Sequence, residues 1–260
     1  MDLMTITGFI LGCGSLFYVM WSGNAIHLMF NKDAAILVFG GTIGCALITY
    51  PWKIIRVSPR AILMMLIPPK RVSPDKAIEA VVAVATQAKR QGIENMSGDI
   101  DKLEHPFFRD FLMMVIEGMD PESIHEKLEK EIAVVRRRHY QVSSLFRSMG
   151  GYAPIFGLLG TLIGVVQVLR NLTDAQSMGS SMAIAVTATF YGIFGANFLF
   201  LPIAGKLTIY SEDEMIIKEL FARGVMAIQN GEIPLAVERQ LEALLAYRLR
   251  NLSKTPAKKK

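Results

Sequence analysis

The chain has 260 residues, of which 52 % are hydrophobic, and its formal net charge is +5. A mean hydropathy of +0.35 is high for a soluble domain and predicts a membrane protein. The excess of Lys and Arg would also suit a nucleic-acid-binding protein, but these residues flank long apolar segments, so we expect no nucleic-acid partner. Cys13 and Cys45 lie inside apolar runs, so we expect neither a disulfide framework nor a metal site.

Residues 1–52 contain two uncharged segments that are long enough to cross a bilayer. Leu3–Trp21 and Ala34–Trp52 each contain 19 residues without a charged side chain. A helix of that length rises about 28 Å, which matches the hydrocarbon thickness of a membrane. The aromatic residues at their ends suit the membrane–water interface. We predict two transmembrane helices here, joined by a short periplasmic loop.

Residues 53–147 form a long polar segment that predicts a helical cytoplasmic domain. Its first part, Ile54–Ile67, is apolar but interrupted by Pro59 and Arg60, so we expect one helix lying at the membrane surface. Ser73 followed by Pro74 is typical of a helix start, and glycines are typical of helix ends. Further helices are predicted over residues 74–91, 93–103 and 105–117 and from Asp120 into the third span, with an apolar face at Phe107, Phe108, Phe111, Leu112 and Val115.

Residues 148–205 contain two further apolar segments, Gly150–Leu169 and Met182–Gly205, predicted as the third and fourth transmembrane helices. Each has a helical face of small residues with a hydroxyl. Such faces are used for close helix packing, and their hydroxyl oxygens can also line a path for a cation or a water chain. The candidate lining residues are Gly157, Thr161 and Gly164 in the third span and Ala185, Thr187, Thr189 and Gly192 in the fourth.

Neither of these two segments contains Asp, Glu, Lys, Arg or His. Ion and proton relays in membranes usually use an ionisable group, so a conducting chain of this kind needs a carboxylate from a partner. The same absence argues against an intramembrane enzyme, and we expect none. Pro154 and Pro202 lie near the cytoplasmic ends of the two spans, where each could be a hinge or a tolerated kink.

Residues 206–260 are polar again. Lys206–Asn230 is predicted to continue the fourth span, a last helix to run from Ile233-Pro234 to about Leu252, and Ser253–Lys260 to form a basic tail. Lys and Arg concentrate beside the span ends that join the long insertion and this C-terminal region. By the positive-inside rule, both termini and the insertion are expected in the cytoplasm.

Three motifs carry a resemblance to a known family. They are YAPIFGLLGTLIG at residues 152–164, MAIAVTATFYG at residues 182–192 and PIAGKL at residues 202–207. The whole chain resembles the flagellar motor stator subunits of the MotA/PomA/MotP type, in the wider family that includes TolQ and ExbB. TolQ and ExbB are less similar, because they have three spans where this chain is predicted to have four.

The resemblance implies an all-α integral membrane protein of the bacterial inner membrane with four transmembrane helices. It implies a ring of five copies around two copies of a MotB/PomB-type partner, which has a single span bearing an aspartate and a periplasmic peptidoglycan-binding domain. Thr189 would face that aspartate, and Thr161 is typical of sodium-driven members. Pro154 and Pro202 match two prolines that couple ion passage to movement of the cytoplasmic domain. No cofactor is implied, and the transported ion is Na⁺ or H⁺.

The resemblance also implies a contact with the rotor protein FliG. Lys89-Arg90-Gln91-Gly92 matches the family's basic rotor-contact pattern, but Ser97 stands where the family has an acid. Glu94 or Asp99 would have to replace that acid. Lys89 and Arg90 also suit an ordinary solvated helix end.

The function implied is that of a stator subunit converting ion-motive force into torque on the flagellar rotor. Two alternatives stay open from the residues alone. One is a TolQ/ExbB-like proton-channel energiser of an outer-membrane system. The other is a structural membrane scaffold whose small-residue faces only pack.

Overall fold

A computed structural model describes residues 3–24, 26, 30–66, 72–170 and 174–245, and the described chain is helical without strands, which confirms the predicted all-α fold. The helices, in chain order, are Leu3–Ser22, Lys32–Ala35, Gly41–Thr49, Trp52–Ile55, Ser58–Leu66, Pro74–Gln91, Ser97–Ile100, Pro106–Ile116, Pro121–Arg170, Ala175–Phe194, Leu201–Gln229 and Pro234–Leu244. Ile36–Gly40 and Gly195–Phe200 are π-helical, and Ile93–Asn95 is a 3₁₀ turn. The predicted tail Ser253–Lys260 and the last helix beyond Leu245 lie outside the described residues.

In the part of the chain that the structure describes, four helices are long and apolar enough to cross a membrane. The first span is Leu3–Ser22 and the second is Lys32–Thr49, while the third and fourth are the apolar parts of Pro121–Arg170 and Gln176–Gln229. The second span ends three residues before its predicted end at Trp52. Tyr50 is extended, with φ −113° and ψ 137°, because the residue before a proline is pushed out of the helical region.

The fourth span begins earlier than predicted. Its helix starts at Ala175 rather than Met182, because the Asp174 side chain caps it by accepting a hydrogen bond from the Gln176 N–H at 3.1 Å. The helical path then continues through Gly224 and ends near Gly231, whose φ is 68°. The predicted continuation of the span is therefore confirmed.

The predicted surface helix Ile54–Ile67 is two helices in the structure. Trp52–Ile55 ends before a turn, and Ser58–Leu66 begins anew. Pro59 explains the break, because proline has no N–H and is accommodated in the first turn of a helix. Ile54 and Ala61 are buried, while Ile62 and Leu63 are exposed.

Two compact units make up the chain. The first consists of Met1–Pro69 with Arg138–Ile209, and the second of Lys70–Arg137 with Tyr210–Lys260. The helices Pro121–Arg170 and Leu201–Gln229 each have residues in both units. The four-part division at residues 52, 147 and 205 stays a prediction.

The second unit has a core built on the predicted apolar face of Pro106–Ile116. All five predicted residues of that face are buried, and the Phe108 ring stacks on Phe221 with centroids 4.7 Å apart. Burying one such phenylalanine contributes about 1.5–3 kcal/mol. The predicted helix start at Ser73 is also observed, since its hydroxyl accepts a hydrogen bond from the Lys76 N–H at 3.4 Å. This core gives the 53–147 segment the packed interior that its helical pattern predicts.

The first unit has a core of small residues and phenylalanines between the third and fourth spans, including Ala153, Ala196, Phe200 and Ala204. The first span contributes nothing to it, since none of its residues is buried. Small side chains allow the backbones of the third and fourth spans to approach closely. That approach determines the geometry of the candidate site.

Candidate functional site

Two threonine hydroxyls meet between the third and fourth spans. The Oγ1 atoms of Thr161 and Thr189 share a hydrogen bond of 2.5 Å. The Gly157 carbonyl oxygen lies 3.2 Å from the Thr161 hydroxyl and 3.5 Å from that of Thr189. The Ala185 carbonyl oxygen lies 3.4 Å and 3.2 Å from the same two hydroxyls. The result is a cluster of two hydroxyl and two carbonyl oxygens, which we call the four-oxygen cluster.

Glycines let the two helices come this close. A Cβ atom at Gly157 would lie 3.0 Å from the Ala188 carbonyl oxygen, and one at Gly192 would lie 2.7 Å from the Ala153 carbonyl oxygen. A Cβ atom at Gly164 would lie 2.6 Å from the Cβ of Ala185. Two of these three contacts are to backbone atoms, which cannot rotate away. The small-residue faces therefore pack against each other, as the packing interpretation requires, and the two threonines lie at that contact.

Thr187 is the one predicted lining residue that does not lie at the contact between the third and fourth spans. The other six do: Gly157, Thr161, Gly164, Ala185, Thr189 and Gly192. The Thr187 hydroxyl donates to the Ala183 carbonyl oxygen at 2.6 Å and is buried. Two residues along a helix turn the side chain by about 200°, so Thr187 and Thr189 point to nearly opposite sides. Their proximity in sequence does not place them in one site.

Sequence reasoning missed the two backbone carbonyls of the cluster. Gly157 precedes Thr161 by four residues, and Ala185 precedes Thr189 by four. A threonine in a helix commonly bonds the carbonyl four residues back, so this signal was present in the sequence. What the sequence could not provide is that each carbonyl also approaches the hydroxyl of the other helix.

The four-oxygen cluster has no formal charge. Hydroxyl and carbonyl oxygens are suitable ligands for a hard cation, and they can equally hydrogen-bond a water chain. No acidic or basic side chain occurs in residues 150–169 or 182–205. Attracting a cation into a membrane needs a countercharge. The cluster can therefore solvate an ion, but it cannot balance the charge of that ion.

The two predicted coupling prolines lie in different helical environments. Pro154 is inside the unbroken helix Pro121–Arg170, and its Cα would lie 3.1 Å from a Cβ atom at Gly192. Pro202 lies two residues after the π-helical segment Gly195–Phe200. A π-helical turn adjusts the hydrogen-bond ladder next to a residue that has no N–H. Pro154 thus lies at the helix contact, and Pro202 follows a local widening of the fourth helix.

The predicted rotor-contact residues lie around the end of Pro74–Gln91. Lys89 and Arg90 are exposed in its last turn, and Glu94 is exposed in the following 3₁₀ turn. Asp99 accepts a hydrogen bond from Gln87 at 2.6 Å and pairs with Lys102 at 3.2 Å, and Lys102 lowers the pKa of Asp99 below its ordinary 3.8. Among the described residues, Glu94 has no ion-pair partner.

Known proteins with a similar sequence or a similar fold connect this chain to a family. The profile of the MotA/TolQ/ExbB proton channel family matches residues 99–220. The uncharacterized protein YtxD of Bacillus subtilis is 30 % identical over 92 % of this chain and 89 % of its own length. The chemotaxis protein PomA of Vibrio alginolyticus is 29 % identical over 94 % of this chain and 96 % of its own length.

A solved structure agrees over nearly the whole chain. The flagellar MotAB stator complex from Bacillus subtilis superposes with a TM-score of 0.87 at 26 % identity, covering 97 % of this chain and 99 % of the matched chain. The chain therefore belongs to the MotA/TolQ/ExbB proton channel family and, within it, to the MotA/PomA type of flagellar motor stator subunit.

Proposed function

We propose that this chain is a flagellar motor stator subunit that forms an ion channel with a MotB/PomB-type partner and converts ion-motive force into torque on the rotor. The observation that carries the proposal is the four-oxygen cluster, which offers ligands but no charge. A partner span with a carboxylate would complete it. Similarity to PomA and to a MotAB complex supports that choice of partner.

The energy available suits a conformational motor. A monovalent cation crossing inward releases about 2.3 kcal/mol per 100 mV of membrane potential. Since about 1.4 kcal/mol changes an equilibrium tenfold, one ion can shift a two-state element by more than that factor. Binding and release of the ion at the partner's carboxylate would turn a ring of five subunits. Pro154 and Pro202 would couple this step to the cytoplasmic domain.

The ion is proposed to be sodium, solvated in part by Thr161 and Thr189. With Thr161 replaced by alanine, the cluster loses one of its two hydroxyl ligands. The sodium concentration that gives half-maximal swimming speed should then rise. Swimming speed measured against sodium concentration, with and without a protonophore, identifies the ion. Speed that is independent of sodium and abolished by the protonophore would assign a proton path instead.

The rotor contact is proposed to use Lys89, Arg90 and Glu94 against FliG. Glu94 is preferred to Asp99 as the acid, because Asp99 is already paired with Lys102. In this arrangement both termini and the 53–147 segment lie in the cytoplasm. Charge reversal Glu94→Lys should reduce motility more than Asp99→Lys. Equal losses of motility in the two variants would contradict the preference for Glu94 over Asp99.

The ion path is tested at Thr189 and Pro154. Thr189→Ala and Pro154→Ala, expressed with the partner in a strain lacking its own stator, should abolish or strongly reduce swimming while ring assembly persists. Thr208→Ala is the matched control, because Thr208 lies in the same helical path and its hydroxyl bonds only the Ala204 carbonyl at 2.9 Å in the described chain. Normal swimming in both Thr189→Ala and Pro154→Ala would refute the ion-path assignment.

One alternative function is that of a TolQ/ExbB-like energiser of an outer-membrane system, because the family description includes TolQ and ExbB. Purification from native membranes separates the two. A single-span partner with a peptidoglycan-binding domain supports the stator, and a TonB- or TolR-type partner supports the energiser. A chain that purifies with no partner would favour a structural scaffold.

A further inference from the structure

A segment with only positive charges follows the second span. It runs from Trp52 to Leu66 through two short helices, and we call it the basic segment. It contains Lys53, Arg56 and Arg60 and no Asp or Glu. All three side chains are exposed. Within the described residues none of the three has an ion-pair partner, so the segment is not neutralised by its own chain.

The inner side of the basic segment is held at the ends of the spans. Ile54 is buried in a cluster with Ala46, which lies in the last turn of the second span. Ala61 is buried in a second cluster that includes Ala196 and Phe200 of the fourth span. All of these residues belong to the first unit. The segment is therefore fixed at the depth where the apolar spans end and the lipid headgroups begin.

The outer side of the basic segment combines large apolar side chains with the three cations. Trp52 is 70 % exposed and Leu63 is 56 % exposed. Tryptophan is enriched at membrane–water interfaces, and Lys and Arg can lay their aliphatic stems on apolar surface while their charges reach the headgroups. Basic side chains beside exposed apolar ones are typical of a helix that lies in an anionic membrane surface.

A second copy of the chain does not supply the acids that these cations need. The acids of the first unit are Asp2, Asp33 and Asp174. Asp33 and Asp174 stand at the starts of the second and fourth spans, at the other ends from the basic segment. The second span alone rises about 24 Å from Asp33 to Thr49 at 1.5 Å per residue. Copies in one membrane share the same depth, so a neighbouring first unit could offer at most one carboxylate, Asp2, to three cations.

We propose that the basic segment binds the headgroups of anionic phospholipids, in the leaflet that is cytoplasmic in the orientation proposed above. Lys53 binds a lipid phosphate as a point charge, and Arg56 and Arg60 bind phosphate through paired N–H groups. Each cation near an anionic membrane surface contributes about a fivefold preference for the charged lipid. The bound lipids hold a segment that packs against both the second and the fourth spans.

The test measures which lipid lies beside Trp52. The full chain and its partner are reconstituted in phosphatidylcholine vesicles that contain about one fifth phosphatidylglycerol. Bromine atoms, which quench tryptophan fluorescence, are placed either on the phosphatidylglycerol or on an equal share of the phosphatidylcholine. The emission of Trp52 is the part that is lost in Trp52→Phe.

We expect brominated phosphatidylglycerol to quench Trp52 several-fold more strongly than the matched phosphatidylcholine. The difference should shrink in 1 M salt, because the Debye length falls from about 8 Å at physiological ionic strength to about 3 Å. Equal quenching by the two lipids at low salt would overturn the proposal. Absence of quenching by either lipid would also overturn it, because protein would then cover this side of the segment.

A charge variant and its control test the cations themselves. The preference for phosphatidylglycerol should disappear in the triple variant Lys53→Gln, Arg56→Gln, Arg60→Gln, and a preference that survives would contradict the proposal. The control Lys32→Gln with Arg170→Gln removes exposed charges at the other ends of the second and third spans and should change nothing. The salt comparison needs no substitution, so it decides even if a variant fails to fold. Quenching does not require ion flow, so this result is independent of the proposed function.

Discussion

At the scale of single residues, the distance between the Thr161 and Thr189 hydroxyls depends on residues that have no side chain. Gly157 and Gly192 face each other's helix so closely that a Cβ atom on either would meet backbone atoms within 3.0 Å. Backbone cannot change rotamer, so any added methyl group must push the helices apart. The four-oxygen cluster is therefore sensitive to substitutions that never touch an oxygen.

Gly192→Ala is predicted to destabilise the chain by about 1–3 kcal/mol, the usual cost of overpacking. The added methyl group would lie 2.7 Å from the Ala153 carbonyl oxygen. Gly205→Ala in the same helical path is the control, because nothing lies within 4 Å of its Cβ position. Thermal unfolding in detergent should show a lower midpoint for Gly192→Ala only. Equal unfolding midpoints for the two variants would show that the contact between the helices accommodates the added methyl group without loss of stability.

At the scale of elements, Gly224 shows why a glycine in a helical pattern need not end the helix. The helix Leu201–Gln229 continues through it, and the position is small because Val81 of the helix Pro74–Gln91 packs there. A Cβ atom at Gly224 would lie 2.5 Å and 2.8 Å from the two methyl carbons of Val81. The glycine is explained by a neighbouring element that sequence periodicity does not reveal.

A double-mutant cycle tests this contact. Gly224→Ala alone should lower the free energy of unfolding by about 1–3 kcal/mol, because the valine is fully buried and cannot move aside. In a Val81→Ala background the same change should stabilise, since the clash is gone and alanine is favoured over glycine in a helix by about 1 kcal/mol. Additive effects measured by chemical unfolding would show that the two positions are not coupled.

At the scale of the whole molecule, the stability of the chain is predicted to depend on pH through a histidine in the second unit. The centroid of the His105 ring lies 4.6 Å from that of the Phe221 ring, and its buried Nδ1 atom has no hydrogen-bond partner among the described residues. Burial is the main cause that lowers the pKa of His105 below its ordinary 6.5; Lys218 lowers it further, and Glu214 opposes them. Lys218 is itself buried, over the Phe107 ring and 3.6 Å from Glu131.

Acidification is predicted to weaken the packing around His105. Below pH 6.5 the unfolded chain binds a proton that the folded chain resists, so stability falls as the pH drops from 6.5 toward the lowered pKa of His105. Hydrogen exchange of residues 106–116 in the full chain should therefore accelerate at pH 5.5 relative to a His105→Gln variant at the same pH. Lys218→Met should reduce this acceleration, because it removes a repulsive charge. The same exchange rates in His105→Gln and the parent chain would contradict this account.

Much of the architecture follows from the sequence alone, for a physical reason. Four uncharged segments of membrane length predict four spans, and the missing intramembrane charge predicts a partner that supplies it. Capping residues such as Ser73 and the helix-ending Gly92 act within one turn, so their effect can be read locally. Two predicted helix bounds were wrong by several residues. The second span ends earlier than predicted, before Pro51, and the helix of the fourth span starts earlier than predicted, after its cap Asp174.

Only the tertiary structure shows which helix faces pack against each other. Periodicity assigns Thr161 and Thr189 each to a face of its own helix, but only the packed backbones show that these faces meet and that Thr187 lies on another side. Helix formation is local along the chain, whereas contacts between helices depend on close packing of residues far apart in sequence, and no local pattern encodes that pairing.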